Sequence, residues 1–329
     1  MWLAALAVLF LAACAPASTP TQPSASMQPS APTPSAPPPS TTSRVVSFQS
    51  AGYALEGTLT SPQPRSAGPG ILIIGGSGPI DRDGVSRIPV STPPVYRWWA
   101  EGLAAAGFTV FRYDKRFLTH PSLDIATLDQ EAQIADALAA LAALRATPEV
   151  GGRAVYVIGH SEGGTLAPVV ATRAVVVSGV ALINTVVFPV DELLIAQLDA
   201  NPAISKRVVA DTRSRLEAIK ADSSPSDGTV LGAGAAYWKQ WIDYSSSAPA
   251  RLSGLPSPLL LVQCLRDQTL PGTTLSRNLA VLRATAAKNR RARLSELAGH
   301  DHFALRPGER EPSRVFMDTL IGWLRGISH

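Results

Sequence analysis

The sequence predicts an α/β fold with a mostly parallel central sheet, helices on both faces and an inserted helical cap. From Arg44 onward, short apolar runs alternate with helical patterns. These runs contain few polar residues, which is typical of parallel strands buried on both faces. Residues 188–251 break the alternation with a long, mixed helical stretch between the sixth and seventh predicted strands. This stretch predicts the cap.

The elements follow one another in a simple order. The runs RVVSFQS and YALEGTLT open the folded part and predict a hairpin at the edge of the sheet. Apolar runs predict six further strands, at residues 71–74, 108–113, 154–159, 180–184, 259–263 and 293–297. Helical patterns predict five helices outside the cap, at residues 95–106, 124–146, 164–173, 273–287 and 312–326.

The first 43 residues predict a targeting segment and a tether. The apolar run before Cys14 is 13 residues long, whereas about 20 are needed to span a bilayer. Its length, and the small residues of the stretch LAAC, are similar to the lipobox of bacterial lipoproteins and predict a signal over residues 1–14. Residues 15–43 contain nine prolines and predict a disordered tether. We therefore expect an exported protein, lipid-anchored at the cell envelope through Cys14, with its folded domain over residues 44–329.

Charge and cysteine content narrow the possible partners. The 29 Lys and Arg residues exceed the 25 Asp and Glu residues only slightly, and they are scattered without basic runs. Nucleic-acid binding needs a clustered basic surface, so we expect no nucleic-acid partner. Only one cysteine besides Cys14 is present, Cys264 in the apolar run PLLLVQC. It is predicted to be a buried structural thiol.

The stretch GHSEGGT, residues 159–165, contains the candidate nucleophile Ser161. It follows an apolar strand and precedes a helical run, which is the strand–turn–helix setting that a GxSxG nucleophile requires. The sharp turn strains the serine backbone, and Gly159 and Gly163 fit because larger side chains would clash there. The amide of Glu162, at the start of the helix, is expected to point toward the reacting carbonyl oxygen.

A nucleophilic serine needs a base, and the chain contains five histidines. Two of them, His300 and His302, follow the last predicted strand in the stretch ELAGHDHFAL. Loops at the carboxyl ends of strands carry ligand-facing groups in such folds. His302 is preferred over His300, because the loop needs a few residues beyond Gly299 to reach back over the sheet. The alternative is a plain surface loop.

The base in turn needs an orienting carboxylate. Asp267 lies just beyond the strand LLLVQC, again at a carboxyl end. The chain order is then Ser161, Asp267, His302. Glu296 and Asp301 are too close to the histidine in sequence to face it easily.

The loop GGSGPIDRDG, residues 75–84, predicts an oxyanion hole. Its glycines let backbone amides approach a substrate oxygen closely. The Ser77 amide is the preferred donor beside that of Glu162, with Gly76 or Gly78 as alternatives. No phosphate-binding motif is present, and no cluster of metal ligands is evident. We therefore expect neither a cofactor nor a metal.

Four motifs together resemble one family. GGSGPIDRDG, RYDKR at residues 112–116, GHSEGGTLAP and ELAGHDHF are similar to a bacterial serine esterase branch of the α/β-hydrolase superfamily, whose members carry GSGPxDRDG and GHSEGG. The resemblance covers the chain from about Arg44 onward and is weakest in the cap. It implies the α/β-hydrolase fold and a Ser–Asp–His triad acting on carboxylic esters without a cofactor. It also supports His302, since members place the catalytic histidine three residues after the corresponding glycine.

The chain departs from that branch at two places. The family has glycines after DKR where this chain has residues 117–121, FLTHP, in a loop that borders the site in the family. Cys264 stands where the family has glycine. In the cap, Trp238, Trp241 and Tyr244 either form an apolar acyl pocket or pack the cap onto the sheet, since their spacing is helical.

The predicted function is a serine esterase that cleaves short-chain or acyl esters of small molecules through an acyl-enzyme intermediate. Two alternatives stay open on the sequence alone. One is a peptidase, thioesterase or amidase, because the scaffold does not fix the leaving group. The other is a non-catalytic surface lipoprotein that uses the same fold for binding.

Overall fold

A computed structural model describes residues 40–64, 67–86, 92–223 and 228–327. Eight strands form one sheet in the order β1-β2-β4-β3-β5-β6-β9-β10. Their bounds are β1 Thr41–Ser50, β2 Tyr53–Pro62, β3 Gly70–Ile74, β4 Thr109–Tyr113, β5 Val155–His160, β6 Gly179–Ile183, β9 Leu259–Cys264 and β10 Ala292–Leu297. A separate two-stranded hairpin pairs β7 Thr229–Val230 with β8 Ala233–Gly234.

Helices connect the strands. Their bounds are α1 Val95–Ala105, α2 Arg116–Thr119, α3 Gln130–Arg145, α4 Glu162–Arg173, α5 Val190–Ala200, α6 Lys206–Lys220, α7 Ala235–Ser253, α8 Thr274–Lys288 and α9 Arg314–Gly326. The strands β3, β4, β5, β6, β9 and β10 pair in parallel, whereas β1 and β2 form an antiparallel hairpin that continues antiparallel onto β4. This arrangement is the predicted mostly parallel sheet with a hairpin at its edge.

The sheet is covered on both faces, as predicted. Alternate residues of β3 point to opposite sides: Leu72 and Ile74 pack with α3, α4 and α8, whereas Ile71 and Ile73 pack with α1 and α9. Parallel strands buried on two faces have no polar face, which explains their continuous apolar runs.

Strand order positions the candidate site. β3 is hydrogen-bonded to β4 on one side and to β5 on the other. The connection after β3 therefore leads to one side of β3, and the connection after β4 returns to the other side. Ligands of open α/β sheets bind beyond the carboxyl ends of the strands at such a reversal. The loop after β3 begins with Gly75 and the turn after β5 contains Ser161, so both lie at this position.

The segment between β6 and β9 contains α5, α6, the β7–β8 hairpin and α7. These elements bury their own apolar cluster, in which the Trp238 and Trp241 rings stack with centroids 5.6 Å apart. The Tyr244 hydroxyl contacts Glu131 and Arg173, which links α7 to α3 and α4. Tyr244 therefore packs the cap onto the main domain and Trp238 packs within the cap, whereas Trp241 packs within the cap and also lines the cavity that contains Ser161.

Two boundaries differ from the sequence-based expectation. The strand β1 begins at Thr41, so the last three residues of the predicted 15–43 tether pair with β2 instead. The helix expected over residues 124–146 is divided into a 3-10 turn, Ile125–Thr127, and α3, because the Asp124 and Asp129 carboxylates each cap a separate start. Residues 1–39, which include Cys14, the predicted signal and most of the predicted tether, lie outside the described part of the chain.

Candidate active site

The Ser161 backbone is strained. Its φ of 55° and ψ of −121° place it in a backbone region that residues other than glycine rarely adopt. It lies between β5 and α4, and its amide donates to the carbonyl oxygen of Ile183 over 3.0 Å. The neighbouring strand thus helps to hold the strained turn, which lifts the Ser161 side chain away from the helix.

The glycines around Ser161 are required by close backbone contacts. A Cβ atom on Gly159 would lie 2.4 Å from the carbonyl oxygen of Gly163, and one on Gly163 would lie 2.2 Å from that of Ile74. A Cβ on Gly164 would lie 1.7 Å from the Thr185 Oγ1. The turn therefore packs against β3 and the segment after β6 so closely that GxSxGG is a steric requirement.

The structure brings His302 and Asp267 together. The His302 Nδ1–H donates to the Asp267 Oδ2 over 2.9 Å, and both side chains are buried. Burial raises the pKa of the Asp267 carboxyl, but the His302 ring and Thr269 lower it by more. The pKa of Asp267 therefore lies below its ordinary value. Asp267 thus stays charged and fixes the tautomer of His302, which leaves Nε2 as the nitrogen able to take a proton.

Thr269 completes this pair and was missed by the sequence reasoning. Its amide and hydroxyl both donate to the Asp267 Oδ1, over 2.9 Å and 2.6 Å, and its hydroxyl oxygen lies 3.2 Å from the His302 Nδ1. The only signal was an Asp-x-Thr spacing, which is a common local turn motif. Thr269 orients the carboxylate toward the histidine.

His300 has a different place from His302. Its Nδ1 donates to the carbonyl oxygen of Ala298 and its Nε2 contacts the hydroxyl of Ser313, at the start of α9, over 2.5 Å. Both ring nitrogens are therefore engaged, and His300 pins the loop to α9. The preference for His302 over His300 as the base agrees with this geometry.

A hydrogen-bonded chain runs beneath Ser161 from the loop after β3 to His302. The Gly76 amide donates to the Tyr96 hydroxyl over 2.8 Å, and that hydroxyl donates to the His160 Nδ1 over 2.8 Å. The His160 Nε2–H donates to the carbonyl oxygen of His302 over 2.9 Å. A carbonyl oxygen can only accept, so the partners set the tautomer of His160.

These hydrogen bonds correct one part of the predicted oxyanion hole. The Gly76 amide is occupied by Tyr96, so it is not available to a substrate oxygen. Gly76 instead allows close approach, since a Cβ there would lie 3.2 Å from the Ser161 Cβ. Within the described part of the chain, the amides of Ser77 and Glu162 donate to no other group of the protein, and these two stay the predicted donors.

Ser161 and His302 line one cavity of about 270 Å³, together with Leu193, Trp241 and Leu270. The last three come from the cap and from the loop after β9. Within the described ranges, no hydrogen bond reaches the Ser161 hydroxyl, a common state for catalytic pairs without substrate. The serine and histidine thus line the same cavity.

The Glu162 carboxylate is buried and has four donors, which the sequence did not indicate. Lys115 contacts it over 3.0 Å, Gln130 over 2.8 Å, Gln133 over 3.2 Å and the Tyr237 hydroxyl over 2.5 Å. Burial raises the pKa of Glu162, but Lys115 and the other donors outweigh it and lower the pKa overall. Glu162 therefore stays charged and links the segment after β4, α3 and the cap.

Asn184, at the end of β6, is a second residue that the sequence reasoning missed. Its Nδ2 donates to the carbonyl oxygen of His302 over 2.8 Å, and its Oδ1 accepts the Cys264 amide over 2.7 Å. It thus fixes the histidine loop to the central strands. Cys264 is a free, buried thiol, and burial raises its pKa to about 12, as expected for a structural thiol.

The described residues contain no group of three or more His, Cys, Asp or Glu side chains that could hold a metal ion. The side chains brought together here are a serine, a histidine and a carboxylate, which suit nucleophilic attack with proton transfer by the histidine.

Solved structures share this architecture. A lipase in its open form has a TM-score of 0.61 at 17% identity, with 88% of this chain and 100% of that chain covered. The acylaminoacyl peptidase of Pyrococcus horikoshii has a TM-score of 0.56 at 13% identity, with 87% of this chain and 41% of that chain covered. At these identities the likeness concerns the fold alone.

Sequence comparison identifies the family. The esterase EstD of Thermotoga maritima is 33% identical over 216 residues, which cover 65% of this chain and 50% of that protein. The chain thus matches about half the length of this curated relative. Residues 91–316, about two thirds of the chain, match the Alpha/beta hydrolase family. With its mostly parallel sheet covered on both faces, the chain belongs to the alpha/beta hydrolase family.

Proposed function

We propose that the protein is a serine esterase of the branch whose motifs it resembles. The observation that carries this proposal is the 2.9 Å hydrogen bond from His302 to the buried Asp267, in a pair that shares one cavity with the strained Ser161. Ser161 is the nucleophile, His302 the general base and Asp267 the orienting carboxylate. The esterase relative supports an ester as the substrate.

The proposed reaction has two halves. The His302 Nε2 takes the proton of Ser161 as its oxygen attacks the ester carbonyl, and the Ser77 and Glu162 amides stabilise the resulting oxyanion. His302 then gives the proton to the leaving alcohol, and an acyl group stays on Ser161. In the second half His302 takes a proton from water, whose oxygen attacks the acyl carbonyl and releases the acid.

Substitutions in the full-length chain test these roles. We expect Ser161→Ala, Asp267→Asn and His302→Ala each to lower kcat on nitrophenyl esters by about 10⁴-fold or more. Ser276→Ala, Asp318→Asn and His120→Ala are matched controls outside the cavity and should retain activity. If the three site variants stayed as active as their controls, the assignment would be wrong.

A second measurement separates the alternatives. A fluorophosphonate probe should label the wild type at Ser161, and Ser161→Ala should stay unlabelled. Comparing aryl esters, thioesters and peptide amides of one acyl group then ranks the leaving groups. A preference for amides would favour a peptidase or amidase, and absence of both labelling and turnover would favour a non-catalytic binding protein.

We also propose the envelope anchor predicted from the first 14 residues. Fatty-acid labelling in bacterial cells should mark the wild type but not Cys14→Ala, which should appear in the soluble fraction. Among the helices of the described ranges, none has the length and apolar character needed to cross a membrane. Equal membrane association of both proteins would contradict lipidation at Cys14.

A further inference from the structure

A second cavity lies beside the one that Ser161 and His302 line. It has a volume of about 540 Å³, which includes space open to solvent. Its apolar walls come from the loop after β3, from the segment after β4 and from the cap; the residues that matter here are Pro79, Phe117, Ile125, Leu128, Ala233 and Tyr237. We propose that this cavity binds the acyl chain of the ester substrate, and that the chain is unbranched and uncharged.

This inference rests on the proposed function and concerns which side of the ester each cavity receives. The second cavity is lined by Gly78 and Glu162. Gly78 follows the proposed oxyanion donor Ser77, and Glu162 is the other proposed donor. It therefore adjoins the oxyanion hole. His302 lines the other cavity, and the leaving oxygen must lie close to His302 to receive its proton. The alcohol thus occupies the His302 side, and the acyl chain extends toward the second cavity.

The charges in the wall do not favour an acidic acyl group. Lys115 and Glu162 both line the cavity, but they form an ion pair of 3.0 Å in which both side chains are largely buried. A substrate carboxylate could bind Lys115 only by leaving Glu162 without its counter-charge, which is costly in a buried site. The pair is thus neutral toward the cavity, and the remaining wall is apolar except for Gln133, whose amide donates to Glu162.

The cap fixes the width of this cavity. A Cβ atom on Gly234 would lie 2.0 Å from the carbonyl oxygen of Ala126, so the β7–β8 hairpin rests directly on the 3-10 turn Ile125–Thr127. The Tyr237 hydroxyl, bonded to Glu162, holds the start of α7 at the same place. Backbone contact and a buried hydrogen bond thus hold two walls of the cavity in place. Because these walls cannot easily move apart, they suit a narrow, unbranched chain better than a branched one.

The experiment is an acyl series with one leaving group: nitrophenyl acetate, butanoate, hexanoate and octanoate. Each methylene that becomes buried is worth about fourfold in kcat/KM, so the wild type should favour hexanoate over acetate. Leu128→Trp fills the cavity, and the ratio of kcat/KM for hexanoate to that for acetate should fall at least tenfold. Phe117→Ala enlarges it, and the best chain should become longer. Val208→Trp, an exposed cap residue, should keep the wild-type ratio.

An alcohol series, ethyl to hexyl acetate, gives the opposite test. If Leu128→Trp and Phe117→Ala changed the preference in this series but not in the acyl series, the cavity would bind the alcohol and the assignment would be overturned. Faster hydrolysis of a succinate half-ester than of the butanoate ester would overturn the uncharged chain. Nitrophenyl acetate turnover and fluorophosphonate labelling of the wild type test the esterase itself, so failure of the cavity assignment alone can be recognised.

Discussion

The His160 ring donates a hydrogen bond to the backbone carbonyl oxygen of His302 over 2.9 Å. The residue before the candidate nucleophile therefore holds the loop that carries the candidate base. Its other nitrogen accepts the Tyr96 hydroxyl, which also accepts the Gly76 amide. The ring thus joins the loop of His302 to α1, and Tyr96 in turn holds the loop after β3. The relative position of nucleophile and base depends on that ring staying neutral.

The stability of the protein should fall in mild acid because of His160. Burial, together with the nearby His302, lowers the pKa of His160 from 6.5 to about 3. Between these values the unfolded chain binds a proton that the folded protein excludes, so this stabilising contribution is present above pH 6.5 and is lost as the pH falls toward 3. One such group changes the free energy of unfolding by at most about 1.4 kcal/mol per pH unit.

Urea unfolding of the wild type and His160→Gln at pH 7 and pH 5 measures this contribution. The variant should be less stable at pH 7, since it loses the bond to Tyr96, but should lose less stability between the two pH values. His120→Gln is the control and should retain the wild-type pH dependence; its ring bonds to the carbonyl oxygen of Ala54 and packs against Tyr53, away from the site. Equal pH dependence in all three proteins would contradict the explanation.

Tyr96→Phe should lower activity by a positioning effect. The substitution leaves the Gly76 amide without its acceptor and His160 without its donor, both in a buried place. An unpaired buried group costs about 1–3 kcal/mol, and the loop beside Ser161 should shift. We expect kcat to fall about tenfold with little change in KM, whereas Tyr53→Phe, outside both cavities, should change neither. A change confined to thermal stability would indicate a purely structural role.

Much of the site could be predicted because its signals are local. GxSxGG reflects backbone contacts within a few residues of Ser161, and Asp267 and His302 follow strands that are apolar enough to recognise. Thr269 and Asn184 could not be found in this way. Their roles depend on which loops meet at the carboxyl edge of the sheet, and an isolated Thr or Asn has no distinctive spacing.

The fold was predictable for the same reason, and the errors in that prediction show what local patterns cannot reveal. Strands buried on both faces give continuous apolar runs, whereas helical spacing alone cannot say which neighbour an aromatic side chain packs against. Trp238 and Trp241 pack within the cap, and only Trp241 also reaches the cavity of Ser161. Gly76 is an alternative oxyanion donor by sequence, but its amide donates to Tyr96, 20 residues later in the chain.

Glu162→Gln should destabilise the protein through Lys115. The substitution removes the counter-charge of a largely buried ammonium group and places an amide donor among donors. Removing one partner of a buried ion pair costs about 3–5 kcal/mol, whereas removing both costs much less. The double variant Glu162→Gln/Lys115→Met should therefore be more stable than Glu162→Gln in thermal unfolding. If the double variant were the less stable one, the ion pair would not be the cause.

Gly164→Ala should destabilise the turn by a steric clash with Thr185. The new Cβ would lie 1.7 Å from the Thr185 Oγ1, so β6 and α4 must move apart, and overpacking of this kind costs about 1–3 kcal/mol. Gly322→Ala is the matched control, because Gly322 also lies in a helix but has open space around it. It should gain up to about 1 kcal/mol from helix propensity alone. Thr185→Ala removes the atom nearest to the new Cβ, so Gly164→Ala should cost less in that background. Urea unfolding of the four combinations measures the coupling, and strict additivity would show that the contact between Gly164 and Thr185 does not limit this position.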